Sequence, residues 1–243
     1  MGQIEREGHG WWPYLVPYLA FLASVETIRR LPGDWAPIGL LLKPGVPGLL
    51  ILYYYSRGAY PEVRGVALDL GKRALDVGVG VALAGLWMAP FVLVDDLRPA
   101  QPDFFDPEQL GAGSVAWVLG LRMFGYALVT PFFEELFIRS FVMRYAEVFQ
   151  ARGDFRDVRL ARFTWRSFAA TVVVFTLAHA PWEWWVAVPW IVLTNLWFYY
   201  RQDIYSVILV HAATNASILV AVTLWSGAVT DASGKAISLW FFV

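Results

Sequence analysis

Apolar residues are grouped into seven long runs along the 243-residue chain. Crossing the hydrocarbon core of a bilayer takes about 20 apolar residues in a helix. None of the runs alternates apolar and polar positions as barrel strands do, so each predicts a helix with its backbone amides paired internally. The runs cover approximately residues 11–28, 38–55, 74–94, 113–133, 167–182, 184–200 and 204–225. The predicted fold is an all-α, polytopic transmembrane bundle with seven to eight spans, forming one domain over residues 1–243.

The composition supports a membrane protein and excludes several classes of function. Hydrophobic residues make up 58% and charged residues 16% of the chain, against about 45–50% and about 25% in soluble domains. A net charge of -1 provides no basic surface for nucleic acid. With no cysteine, disulfides, thiolate metal sites and a cysteine nucleophile are excluded. The expected partner is the lipid bilayer.

Lysine and arginine in the short loops predict the orientation, because such residues are enriched on the cytoplasmic side. The stretch 56–73 and the stretch after Glu135 are rich in arginine, whereas the connection 95–112 is mainly acidic. Both arginine-rich stretches, and with them the N-terminus, are expected in the cytoplasm of a multi-pass cell-membrane protein. The start, MGQIEREGHG, does not look like a removable signal peptide. Residues 236–243 are too short to cross and are expected at the membrane interface.

Three polar clusters interrupt the apolar runs, where ionisable residues are costly and usually mark function. They come from three different runs or their ends. The clusters are Glu134, Glu135 and Arg139; Phe175 and His179; and His211 and Asn215.

Helical spacing separates the roles of these residues. Glu135 and Arg139 lie one turn apart on one face, which predicts an ion pair. Glu134 points about 100° away and is free to face the bundle interior, where it is suited to proton transfer. For these carboxylates to meet His211, one long helix must run from about Gly113 to Gln150, and Pro131 is a candidate position for a kink.

His211 and Asn215 also share a helix face, so their imidazole and amide can project toward one point. Such an arrangement suits the binding of a single oxygen atom. Two histidines and a carboxylate are also the ligand set of many catalytic zinc sites. The chain has no HExxH helix, so no cofactor is expected, with zinc as the alternative.

The clusters together resemble the CPBP intramembrane protease family, which includes the type II CAAX prenyl endopeptidases. The family pattern is EExxxR, then FxxxH, then HxxxN or HxxxD, and the resemblance covers about residues 110–225. The matching positions are Glu134, Glu135 and Arg139; Phe175 and His179; and His211 and Asn215. Residues 40–57 are in addition similar to a bacterial branch, called CAAX protease-related, that occurs near C-terminal sorting systems.

The resemblance implies a role for each catalytic residue. Glu134 and His179 would activate a water molecule, while His211 and Asn215 would stabilise the oxyanion. Glu135, Arg139 and Phe175 would support them. The implied activity is hydrolysis of a peptide bond in a hydrophobic or lipidated membrane-associated protein, without a metal. Two non-catalytic alternatives stay open: a transporter with a proton relay, and an immunity or scaffold protein that retains the fold.

Overall fold

The computed structural model describes residues 10–30, 36–64, 69–99, 107, 111–151, 153–231 and 233–243. These residues form an all-helical chain without strands, apart from one isolated bridge between Thr230 and Ala236. Residues 1–9 of the N-terminal segment and the acidic residues 103, 106 and 108 lie outside the described residues. The helices are α1 (Trp12–Arg29), α2 (Ala36–Ser56), α3 (Leu70–Leu93), α4 (Val115–Val148), α5 (Trp165–Leu177), α6 (Trp184–Arg201) and α7 (Ile204–Trp225).

Four of the described helices are long and apolar enough to cross a bilayer: α2 over Ile38–Ser56, and α3, α4 and α7 over their full lengths. The expected count of seven to eight spans is therefore not confirmed. The run at 167–182 forms only the 13-residue helix α5, which at 1.5 Å per residue covers about 20 Å. The chain leaves the helical conformation after Leu177, so His179 lies just beyond the helix end.

The predicted long helix is confirmed as α4, which is continuous from Val115 to Val148. Two of its segments, Met123–Val129 and Leu136–Val142, are π-helical. Such wide turns free backbone carbonyls and are frequent at functional sites. The first of them ends just before Pro131, the expected point of irregularity.

Side chains that accept amide hydrogen bonds fix where three helices begin. Asp69 accepts from the Lys72 amide at the start of α3. Thr164 accepts from the Ser167 amide before α5, and Ser167 in turn accepts from the Thr164 amide. Asp203 accepts from the Tyr205 amide and thereby separates α7 from α6.

One end of the bundle, here called the arginine end, contains residues 57–64, 149–151, 153–164 and 201–203. Asp76 of α3 is fully buried there and pairs with Arg201 at 3.0 Å. It also accepts from Ser206 at 2.6 Å, so one carboxylate joins the start of α3, the end of α6 and the start of α7. Arg73 adds an ion pair to Asp203 at 2.5 Å.

The opposite end, here called the strap end, contains residues 94–99, 178–183 and 226–243. Its last segment, residues 236–243, is named the strap. The strap folds back onto the bundle, where Trp240 and Phe242 are buried. Phe91 lies edge-on to both Trp182 and Phe242, at centroid distances of 5.1 and 5.7 Å. The strap thus finds apolar partners within the protein, and its position at the membrane interface stays a prediction.

Helices α3 and α7 approach each other closely at Gly80. A Cβ atom at this position would overlap the Val210 carbonyl oxygen and lie 2.6 Å from Ala213 Cβ. The missing side chain lets Thr214 donate to the Gly80 carbonyl at 3.0 Å. Gly80 therefore sets the distance at which α7, the helix of His211 and Asn215, packs.

We expect Gly80→Ala to lower the free energy of unfolding by about 1–3 kcal/mol, because the added methyl group overpacks the α3–α7 contact. Gly78→Ala in the same helix is the matched control, since its Cβ meets nothing within 4 Å. That control should gain about 0.5–1 kcal/mol from helix propensity. Denaturant unfolding of both purified variants in detergent checks this, and equal stabilities would contradict it.

Candidate active site

A cavity of about 550 Å³ lies among the helices, and loop residues of the strap end contribute to its lining. Residues of the six helices from α2 to α7 line it together with Pro99, the turn after α5 and the strap. The four residues expected to be catalytic all line this cavity: Glu134, His179, His211 and Asn215. The structure thus brings together groups that the sequence places on three separate segments.

The ion pair expected between Glu135 and Arg139 is confirmed. Glu135 Oε2 lies 3.2 Å from Arg139 Nη1, and both side chains are at most 1% exposed. Arg139 Nη2 also donates to Thr194 Oγ1 at 2.7 Å. Because a buried charge needs a partner, this pair joins α4 to α6 at a defined depth.

His211 lies between the two adjacent glutamates. Its Nδ1 is 2.9 Å from Glu135 Oε1, and its Nε2 is 3.9 Å from Glu134 Oε2. An ionised carboxylate only accepts hydrogen bonds, so Nδ1 carries the hydrogen that Glu135 accepts. In the neutral ring Nε2 then carries the lone pair, and it faces Glu134. His211 can gain a proton at Nε2 with two carboxylates to balance the charge.

The two glutamates differ in access to the cavity. The Glu134 side chain is 18% exposed and lines the cavity, whereas that of Glu135 is 1% exposed. The division expected from the helical angle is therefore present. Glu134 is the carboxylate that a water molecule in the cavity can reach.

His179 is oriented by its own backbone and by aromatic rings. Its Nδ1 donates to the Phe175 carbonyl at 2.8 Å, which leaves Nε2 as the acceptor in the neutral ring. The ring lies 4.4 Å from the Phe175 ring, and Phe175 stacks on Trp190 at 5.0 Å. The expected supporting residue Phe175 thus contacts His179 through both its carbonyl and its ring.

The turn that carries His179 is closed by two side chains. Glu183 accepts from the Ala180 amide at 3.0 Å, and the Trp184 indole donates to the His179 carbonyl at 3.1 Å. Burial raises the pKa of the Glu183 carboxyl, while the hydrogen bond from Ala180 opposes that shift. The peptide groups on both sides of His179 are therefore held in place.

Asn215 is positioned by an irregularity of α4. Its Nδ2 donates to the Tyr126 carbonyl at 2.8 Å. In the π-helical segment the Thr130 amide donates to Gly125, five residues back, and Pro131 has no N–H to donate. The Tyr126 carbonyl is thus left without a helical donor, and the Asn215 amide satisfies it while keeping a second N–H.

The sequence predicts that His211 and Asn215 bind one shared oxygen atom, and the structure adds a separate protein partner for each of them. Both side chains line the cavity, but each also has its own protein partner, Glu135 for His211 and Tyr126 for Asn215. Buried polar groups are nearly always paired, which explains these separate contacts. Among the residues that the structure describes, no three His, Asp or Glu side chains are grouped to hold a metal ion.

Comparison with known proteins gives one family match. Residues 115–217 match the family model described as type II CAAX prenyl endopeptidase Rce1-like. Over these residues the chain is similar to this family of CAAX endopeptidases. No curated protein and no solved structure matches the chain. The matched segment of the CAAX endopeptidase family contains Glu134, His179, His211 and Asn215, whereas α3 and the strap lie outside it.

Three residues of this site were not expected from the sequence. Tyr126 holds Asn215, Thr194 holds Arg139, and the Trp190 ring lies 4.8 Å from the His211 ring. Pro131 within an apolar run was a usable signal for the first, because it removes a backbone donor from the helix. Thr194 and Trp190 act across helices, where spacing along the chain carries no information.

The Glu135–Arg139 pair predicts strong coupling in a double-mutant cycle. Either Glu135→Gln or Arg139→Gln should cost about 3–5 kcal/mol of unfolding free energy, because each leaves an uncompensated buried charge. The double variant should cost less than the sum of the singles. Denaturant unfolding of the purified proteins measures this, and strictly additive costs would show that the pair is not coupled.

Proposed function

We propose that the chain is an intramembrane endopeptidase that hydrolyses a peptide bond of a hydrophobic or lipidated membrane-associated protein. The observation that carries the proposal is the shared cavity of Glu134, His179, His211 and Asn215, within the segment matched to the CAAX endopeptidase family. A carboxylate open to the cavity, beside an imidazole with a free nitrogen, is suited to activating water.

In the proposed reaction, Glu134 takes a proton from a water molecule, with His179 Nε2 helping to orient that water. The oxygen of the water forms a bond to the carbonyl carbon of the substrate. The carbonyl oxygen becomes an oxyanion, which the second N–H of Asn215 and the Nε2–H of protonated His211 stabilise. Glu134 then gives its proton to the leaving amide nitrogen, and the carbon–nitrogen bond breaks. The products are an amine and a carboxylic acid, which releases its proton to water, and no acyl-enzyme forms.

We further propose that the protein is a multi-pass component of the cell membrane with its N-terminus in the cytoplasm. The distribution of arginine supports this orientation. The helices α1, α5 and α6 would complete the seven expected spans, although α5 covers only part of the bilayer.

Glu134→Gln should leave a folded protein with cleavage slowed by about 10²–10⁴-fold, because the general base is lost. Asn215→Ala should slow cleavage by about 10²–10³-fold through loss of an oxyanion donor. Glu26→Gln, the same chemical change at the exposed end of α1, is the control. Rates are measured by mass spectrometry on the best-cleaved peptide from a library of prenylated and unprenylated membrane peptides. A normal rate for Glu134→Gln would refute the assignment.

The metal-independent mechanism predicts that exhaustive chelation leaves the rate unchanged. The comparison is between protein dialysed against a strong chelator and the same protein with Zn²⁺ restored. Loss of activity on chelation, with recovery on adding Zn²⁺, would instead favour a metalloprotease in which the two histidines and Glu134 act as ligands.

A further inference from the structure

Among the described residues, the loops that line the cavity all lie at one end of the bundle. On α7 the lining positions begin at His211 and continue toward the strap end as far as Ile218. The loop residues that line it belong to the strap end and include Pro99, Ala180 and Phe241. None of the described residues in the loops of the arginine end contributes to its lining.

The two ends differ strongly in basic residues. Loops at the arginine end carry lysines and arginines that are near the helix ends, the positions that determine orientation. They are Arg57, Arg64, Lys72, Arg73, Arg152, Arg156, Arg159, Arg162, Arg166 and Arg201. At the strap end, the end of α1 carries Arg29 and Arg30, the loop at 94–114 carries Arg98, and the segment 226–243 carries Lys235. The arginine end is thus the cytoplasmic end by the positive-inside rule.

The basic residues of the arginine end also have structural partners in that location. Arg73 pairs with Asp203, and Arg159 donates to Gln202 at 3.2 Å. Gln202 in turn donates to the Ala161 carbonyl at 3.1 Å. These contacts join the loop 149–164 to the α6–α7 connection, so the basic loops form one surface on one side of the bundle.

We propose that the cavity opens on the extracytoplasmic side of the membrane and takes its substrate from there. The substrate class is an apolar segment of an exported or membrane-anchored protein that emerges on that side. The substrate class rests on the proposed function. The side on which the cavity opens does not, because it follows from the positions of the lining residues relative to the basic loops.

The mouth of the cavity indicates what kind of segment enters. Trp182 and Phe241 line it with ring centroids 5.8 Å apart, and Trp87 lines the same cavity next to His179. The lining also includes the polar groups Glu134 and His211. An extended segment with apolar side chains fits this lining, because its rings and methyl groups can pack on the aromatic rings while a peptide carbonyl contacts the polar groups.

The test uses single-cysteine variants, because the chain contains no cysteine of its own. Ser233→Cys reports the strap end, Ser56→Cys reports the arginine end, and both serines are exposed. Ala180→Cys places a thiol in the cavity wall. Intact cells expressing each variant are treated with a membrane-impermeant maleimide, and a second sample is treated after permeabilisation. The mass shift of the purified protein reports labelling.

Labelling of Ser233→Cys and Ala180→Cys in intact cells, with Ser56→Cys labelled only after permeabilisation, is the expected result. Labelling of Ala180→Cys only after permeabilisation, as expected for Ser56→Cys, would overturn the proposal. Absence of labelling of Ala180→Cys in both samples would overturn it as well. Labelling of all three thiols in intact cells would also overturn it. The readout needs no turnover, so a normal cleavage rate for Glu134→Gln would remove the proposed function without changing this result.

Discussion

The site depends on one buried ion pair. Glu135 and Arg139 lie in an apolar interior, where a charge without a partner is strongly unfavourable. The need to keep them paired therefore fixes the depth of α4 in the bundle and its rotation about its own axis. Through Thr194 and His211 the pair also determines where α6 and α7 lie relative to α4. A consequence is that Glu134, one residue away, is turned toward the cavity. The buried carboxylate of Glu135 thus positions the carboxylate of Glu134, which is open to water.

Irregular backbone provides the second element of the site. A regular α-helix through Tyr126 would use its carbonyl internally, and Asn215 would need another partner. The wide turn before Pro131 and the missing proline N–H leave that carbonyl available. Likewise, α5 ends before His179, whose carbonyl and ring are then held by Trp184 and Phe175. Candidate catalytic groups are thus held at places where helices deviate or end.

Local spacing predicted a large part of this arrangement. The Glu135–Arg139 pair, the exposure of Glu134 to the cavity and the long α4 all follow from helical geometry within one segment. Contacts between segments were not predictable in this way: the Asp76 junction, the Thr194 contact and the strap depend on how helices pack. Residues 236–243 are apolar enough for a membrane interface, and only the ring of Phe91 and its neighbours show why they fold inward. The span count was not confirmed for a related reason, because the run 167–182 is apolar throughout while its helix ends early.

The central claim is that Glu134 acts on water rather than on the substrate carbonyl itself. A single turnover in oxygen-18 water, followed by mass spectrometry of the product and of the peptide containing Glu134, tests this most directly. The account predicts one labelled oxygen in the new carboxylate of the product and none in Glu134. Label in the Glu134 carboxylate, or an acylated Glu134 trapped by acid, would contradict it.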